Sequence, residues 1–460
     1  MTLHLTVPAD RLVALRWVAD VVFNRMLAIP VAVKGQEGTS DIRLQYDGKV
    51  LATPSLFPRV AADAIDLSAP LPSLPLTVLD LEQAGFAEAG TEALLPILFG
   101  SPAIEMGYQQ VDCGLDLLGG IFLMLSRYEE VVLPERDRHD RFPGSASLAH
   151  KAGFLYRPIV DEYVELLWAM MSRLWPGLQR KRRQGKVTVS CDVDQPFDRV
   201  GKNARLLARS LAGDLAKRGD PGLAYRRLRN FFVHRRGDFR FDPYYTFDWY
   251  MDVCERHGRQ AAFYFIPDHS AGAIDGTYHI QEERILQLMR KMAGRGHCIG
   301  MHGSYNTYRD GAQIQKERDA LEQALCAAGL QGGIQGNRQH YLRWSVVETA
   351  DHLDVAGFDY DTSGSFADRP GFRYGTAHPF PMWSWKNFAP MNVEQRPLVV
   401  MECSVIEPTY LGMGYTDAAL ELMSFLKEKA MWAGGDFTLL WHNSFFLKRR
   451  DREFFEYLLR

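Results

Sequence analysis

Cysteine is scarce and scattered, with six in 460 residues at positions 113, 191, 254, 298, 326 and 403 and no close pair among them. Zinc-ribbon and thioredoxin-type motifs are thereby excluded, and the usage fits a reducing compartment. Charge of one sign is missing too. The chain has 53 basic and 56 acidic residues, a formal net charge of −3, which argues against a dedicated nucleic-acid binder. Long apolar runs are absent: stretches such as 94–99 and 119–125 fall far short of the roughly 20 residues that span a bilayer. Asp10, Arg11 and Arg16 interrupt the N-terminal segment, so no signal peptide is expected. There is no internal repeat and no low-complexity tract. A soluble, cytoplasmic protein is expected.

What is present is an ordinary globular composition, 47% apolar and 24% charged. At roughly 150 residues per domain, two or three domains are expected, and the pattern favours two. Residues 1–180 carry short apolar runs broken by proline, then helical spacing. The basic punctuation RKRRQGK at 180–186 gives way at once to a β-branched run, which sets the boundary near 181. From 181 to 460, strand-like runs at 187–194, 261–267, 297–303, 332–338, 358–363, 398–405 and 437–443 alternate with amphipathic stretches that end in glycine. Such alternation predicts an α/β fold with a mainly parallel sheet, and seven units favour a barrel.

Residues 199–243 break the pattern, with twelve Arg and Lys against four Asp. One reading is a solvated helical insertion. The other is an arm that meets a phosphate-bearing or anionic-lipid substrate, with Leu206, Leu207, Leu211 and Leu215 as its apolar stripe.

In parallel α/β folds, polar residues at the carboxyl ends of strands face the functional crevice. Four strand ends here are unusual. Asp192 and Asp194 are two apart in an extended segment, so both carboxylates point to one side and suit a metal ligand plus a base. His302 ends a short strand where its imidazole could ligate a divalent ion, and Asn306 offers an amide oxygen four residues on. Arg338 follows a strand and, placed beside Asp192, would keep that carboxylate ionised. His442, after Leu439-Leu440-Trp441, can act as a general acid near neutral pH. The segment 358–376 offers polar groups suited to sugars, including Asp361, Asp368, Arg369 and Arg373, with Phe372, Tyr374 and, just beyond it, Trp383 and Trp385 to cover apolar ring faces.

Taken in chain order, these motifs resemble the polysaccharide deacetylase superfamily, the NodB-type carbohydrate esterases of family four, over residues 187–446. The resemblance implies a distorted (β/α)7-type barrel. It implies Asp192 as catalytic base, Asp194 and His302 as metal ligands, Arg338 as the arginine that holds the base, and His442 as general acid. The sequence departs from the family in two places. Val193 separates the aspartates, and Asn306 stands where the family has a second histidine ligand, so a bound Zn2+ should be weakened or the preferred metal shifted. Asp361 or Asp368 could tune His442, and Ser304, Tyr305, Arg373 and Trp441 are substrate-binding candidates. A divergent branch with an extra N-terminal domain, associated with surface-polysaccharide synthesis, is similar at LSRYEE (125–130), at 141–163, 302–308, 337–344 and 358–376.

The activity so implied is metal-dependent hydrolysis of an N-acyl group from an amino sugar of a surface polysaccharide or its lipid- or nucleotide-linked precursor. A peripheral membrane contact through the basic insertion goes with it. The competing reading is a catalytically inactive carbohydrate-binding barrel, for which Asn306 speaks.

Overall fold

Asp47 and Gly48 separate two runs of alternating burial, and both take positive φ, 48° and 71°, as the tight turn of a hairpin requires. The hairpin pairs Asp41–Tyr46 with Lys49–Pro54 in a computed structural model that describes residues 2–61, 64–198, 203–234 and 237–460. The chain divides into two compact units. One comprises Met1–Lys186, Leu342–Val400 and Phe425–Phe437; the other Val187–Tyr341, Met401–Ser424 and Thr438–Arg460.

In the first unit the hairpin sits within a six-stranded mixed sheet in the order Val31–Gln36, Leu3–Pro8, Asp41–Tyr46, Lys49–Pro54, Gln110–Leu115, Gly100–Met106. Helices Leu12–Ala19, Leu117–Ser126 and Ile159–Leu174 enclose its core, in which Trp17, Phe122 and Trp383 meet edge to face or tilted at 5.1–5.7 Å. The LSRYEE segment is structural here. Trp385 donates to the Ser126 carbonyl at 2.7 Å, Tyr128 to the Ala69 carbonyl at 2.7 Å, and Glu130 takes both Arg127 at 2.8 Å and Arg373 at 2.6 Å.

The second unit is built on parallel strands. Val187–Val193 pairs with Ala261–Phe265, that with Cys298–Gly303, and that with Gly336–Gln339, in the register His302↔Arg338. Phe437–Leu440 neighbours Val187–Val193 on the other side. Flanking helices follow the expected periodicity: Glu283–Gly294 buries Ile285, Leu286, Leu288, Met289 and Met292, one face of a helix. The strands run in a row, and among the described residues no ladder joins Gly336–Gln339 to Phe437–Leu440, so the observed architecture is α/β without a shown barrel closure. The run at 398–405 departs from the strand reading. Only Val400–Met401 is strand, and helix Glu402–Ile406 follows, because burial and a hydrogen bond from the His442 amide to the Glu402 carboxylate outweigh the β-branched pattern.

The basic insertion forms helix Ala204–Ala216, capped by Asn203, and helix Pro221–Val233, capped by Asp220 with proline in the first turn. Arg227 is buried between Asp198 at 2.8 Å and Asp214 at 2.9 Å, so part of the local charge is neutralised internally. Leu207 is buried while Leu206 and Leu215 are exposed, so these leucines do not share one environment. Arg199, Lys202, Arg235 and Arg236 lie outside the described residues. No helix among the described residues is long and apolar enough to cross a membrane.

Candidate active site

The site is assembled from the carboxyl ends of the parallel strands of the second unit. Ser190, Asp192 and Asp194 alternate onto one side of the first strand and its continuation. Arg338, fully buried, reaches across to donate to Ser190 Oγ at 2.9 Å and to pair with Asp192 Oδ1 at 3.5 Å. Asp192 Oδ2 lies 3.6 Å from His302 Nε2, which is 3.3 Å from Asp194 Oδ1. Asp194 Oδ2 in turn lies 3.7 Å from both His340 Nε2 and His442 Nε2.

Asp194, His302 and His340 each offer one ligand atom, all within 4.8 Å of one another. The protonation pattern tests whether a metal fits. His302 Nδ1 contacts the Arg338 carbonyl at 2.8 Å, which can only accept, so Nδ1 carries a proton and Nε2 is the nitrogen that faces the two carboxylates. His340 Nδ1 is 2.8 Å from buried Asp275, with the same consequence for its Nε2. The Nε2 atoms of two imidazoles and a carboxylate converge, and Asp194 Oδ1 is buried without a hydrogen-bond partner. A cation is what such a set accommodates, and one carboxylate with two imidazoles suits a divalent ion of the zinc class. The histidines held through their other nitrogens by a carbonyl and a carboxylate have the outer support that metal-ligating histidines carry.

Electrostatics follow from burial and neighbours. Burial would raise the Asp194 carboxyl, but His340 and His302 overcome it and hold it well below the usual carboxylate range. Burial would lower His340, yet Asp194 and Asp275 push it up to about 9 in the absence of a cation. At the far side, His442 Nδ1 is 2.5 Å from Glu402 Oε1, which also accepts from the His442 amide at 2.8 Å. Burial opposes protonation of His442, but Glu402, joined by Cys403, raises it well above the ordinary histidine value.

The other sequence candidates each have their own partners. Asn306 is exposed; its side-chain nitrogen donates to the Ser270 carbonyl at 3.0 Å and its amide to Ser270 Oγ at 2.9 Å. Asp361 belongs to the first unit, where Ser363 and Gln395 hold its carboxylate; Glu402 is the acid at His442. Asp368, also in that unit, accepts from the Gly144 amide at 2.8 Å. Arg373 is buried against Glu130. Ser304 is buried, with its amide and hydroxyl on Glu317, and Trp441 is sealed between Phe446 and Phe455. Tyr305 is half-buried; its amide donates to Asp275 at 2.7 Å and its ring meets Tyr341. His340, Asp275 and Glu402 were not singled out from sequence. His340 carried a usable signal, being two residues past Arg338 and so on the same side of an extended chain, whereas nothing local marks Asp275.

Residues 3–176 match the profile of a family described as a family of unknown function, DUF7033. No curated protein matches the chain. Among solved structures, a Mycobacterium smegmatis protein named as a polysaccharide deacetylase is 16% identical, with a TM-score of 0.37 over 62% of this chain and 84% of its own. Puue Allantoinase is 13% identical, with a TM-score of 0.35 over 62% and 85%. A Pseudomonas aeruginosa PAO1 protein named as a polysaccharide deacetylase is 11% identical, with a TM-score of 0.34 over 62% and 89%.

Proposed function

We propose that this chain is a metal-dependent hydrolase that removes an N-acyl group from an amino sugar of a surface polysaccharide or its precursor, on a distorted barrel of the deacetylase type. The observation that carries the reading is the convergence of Asp194, His302 and His340, with a second buried aspartate and a histidine beside them. Asp194, His302 and His340 would hold the ion. Bound there, it supplies Lewis acidity toward the acyl carbonyl and makes water more acidic.

The remaining chemistry belongs to side chains. Asp192, held by Arg338, accepts the proton of the attacking water. His442, kept protonated by Glu402, donates from Nε2 to the departing nitrogen as the C–N bond breaks. Glu402 fixes the imidazole so that this nitrogen faces the site and balances its charge. Acid and base groups of this kind each contribute roughly 10² to 10⁴ in rate.

The test is a calorimetric titration of Zn2+ into chelator-treated protein, followed by acetate release from N-acetylated glucosamine oligomers and UDP-N-acetylglucosamine. The expected result is one site per chain, lost in His302→Ala and His340→Ala, with acetate release that depends on the ion and on His442. Metal binding without release from any N-acyl sugar would overturn the deacylation step. Neither metal binding nor release would leave the carbohydrate-binding reading.

A further inference from the structure

A groove of about 680 Å³ opens in the second unit, lined from helix Pro221–Val233, the segment after it, helix Phe247–Arg256 and the C-terminal helix Arg449–Leu459. Its size is that of a small-molecule site. Three arginines and two aspartates line it, and the aspartates are already engaged. Asp238 pairs with Arg240 at 2.8 Å, and Asp248 pairs with Lys291.

Arg226 and Arg452 remain. Both are half-buried, and neither guanidinium has a carboxylate partner among the described residues. Arg226 donates to the Asp242 carbonyl at 3.2 Å, and Arg452 lies over the Trp249 ring at 4.9 Å. Burial lowers the pKa of both, and for Arg226 the next largest influence is the repulsion of Arg452. Asp242 and Asp220 near Arg226, and Asp451 near Arg452, offset part of this charge without an ion pair to either guanidinium among the described residues, and an anion that accepts from both would offset the rest.

The groove is tied to the catalytic loops. Thr246, in its lining, donates to the Asn443 carbonyl at 2.8 Å, and the Asn443 side chain donates to the Gln195 carbonyl at 2.9 Å. Asn443 follows His442 and Gln195 follows Asp194.

We propose that this groove binds the phosphate or diphosphate of the carrier that presents the N-acyl sugar, with Arg226 and Arg452 as its two gripping residues. The assignment of the anion as substrate carrier rests on the hydrolase reading above; the anion site itself does not. Phosphate chemistry is favoured over a carboxylate ligand because two arginine forks match several oxygens at once.

The test is calorimetric titration of inorganic pyrophosphate into the full chain after chelator treatment, so that no ion at Asp194 contributes. The expected result is one site per chain, weakened at least about tenfold in Arg226→Gln and in Arg452→Gln and retained in His302→Ala. Arg226→Lys keeps the charge, loses the fork and should weaken binding by a smaller factor, which separates anion contact from misfolding. Absence of binding, binding as tight as wild type in either glutamine variant, or loss in His302→Ala would overturn the site. UDP-N-acetylglucosamine and a polyprenyl diphosphate in neutral detergent micelles are then offered as competitors. Displacement by one names the source of the phosphate, and displacement by neither overturns the carrier assignment. Failure of the hydrolase reading shows separately, as pyrophosphate binding that persists without metal binding or acetate release.

Discussion

His340 Nδ1 lies 2.8 Å from Oδ1 of Asp275, a carboxylate with no solvent exposure that also accepts from the Tyr305 amide at 2.7 Å and, through Oδ2, from the Ala271 amide at 2.8 Å. Burial would raise the Asp275 carboxyl, but the His340 bond and these two amides lower it, so it stays ionised. An ionised Asp275 fixes the His340 tautomer with Nε2 facing Asp194. Asp275→Asn should therefore weaken Zn2+ binding about 10- to 100-fold, the usual effect of removing such outer support. Calorimetric titration reads this directly, and an unchanged affinity would remove Asp275 from the site.

The position of Asn306 makes an opposite prediction. Its side-chain nitrogen donates to the Ser270 carbonyl. Asn306→Ala should leave Zn2+ affinity within about twofold of wild type, whereas His340→Ala abolishes binding; the factor of two is the scale of a surface change of about 0.5 kcal/mol. A large loss in Asn306→Ala would restore the amide as a ligand.

Glu402 raises His442 and keeps it protonated. A general acid acts only while protonated, so the rate falls as pH rises through its pKa. Glu402→Gln removes the charge that supports the proton, lowers that pKa, and moves the alkaline limb of the kcat/KM profile to lower pH. His442→Ala should lower kcat by about 10² to 10⁴ at neutral pH. A Glu402→Gln profile with an unshifted alkaline limb would assign the acid to another residue.

Stability should also depend on pH through the first unit. Burial pushes the Asp161 carboxyl up to about 8, against the pull of Thr376 and the Ala377 amide. The unfolded value is about 3.9, so between these limits the folded chain holds a proton that the unfolded chain lacks. Stability is fully present at the acidic end and falls as pH rises through this window, by about 1.4 kcal/mol per unit for a single such group. Glu317, raised by burial to about 7, adds to the same slope. Thermal melts between pH 5 and 8 should show Tm falling, less steeply in Asp161→Asn.

Arg373 supplies a prediction about folding alone. It is buried in a bidentate pair with Glu130, whose carboxyl is held at about 2 because Arg373 and Arg127 outweigh its burial. Arg373→Ala leaves that charge under-compensated and should cost about 3–5 kcal/mol, measured by denaturant unfolding.

The sequence by itself determined the alternating α/β pattern and the residues at strand ends. Asp192 and Asp194 share a side because extended chains repeat every two residues, and His442 follows an apolar run at 439–441 that only a buried strand explains. These are local properties, written in spacing. Tertiary structure alone decided which distant groups complete the arrangement. It chose Glu402 over Asp361 as the partner of His442, by turning residues 402–406 into a helix and enclosing Asp361 among Ser363 and Gln395. It set His340 beside His302, because the register His302↔Arg338 brings the next strand's end alongside. It also set Arg452 in one groove with Arg226, from positions 226 residues apart in the chain. Sequence spacing carries the periodicity of a helix or strand over a few residues; register between strands and the path of turns depend on packing across the whole fold, and those decide which side chains meet.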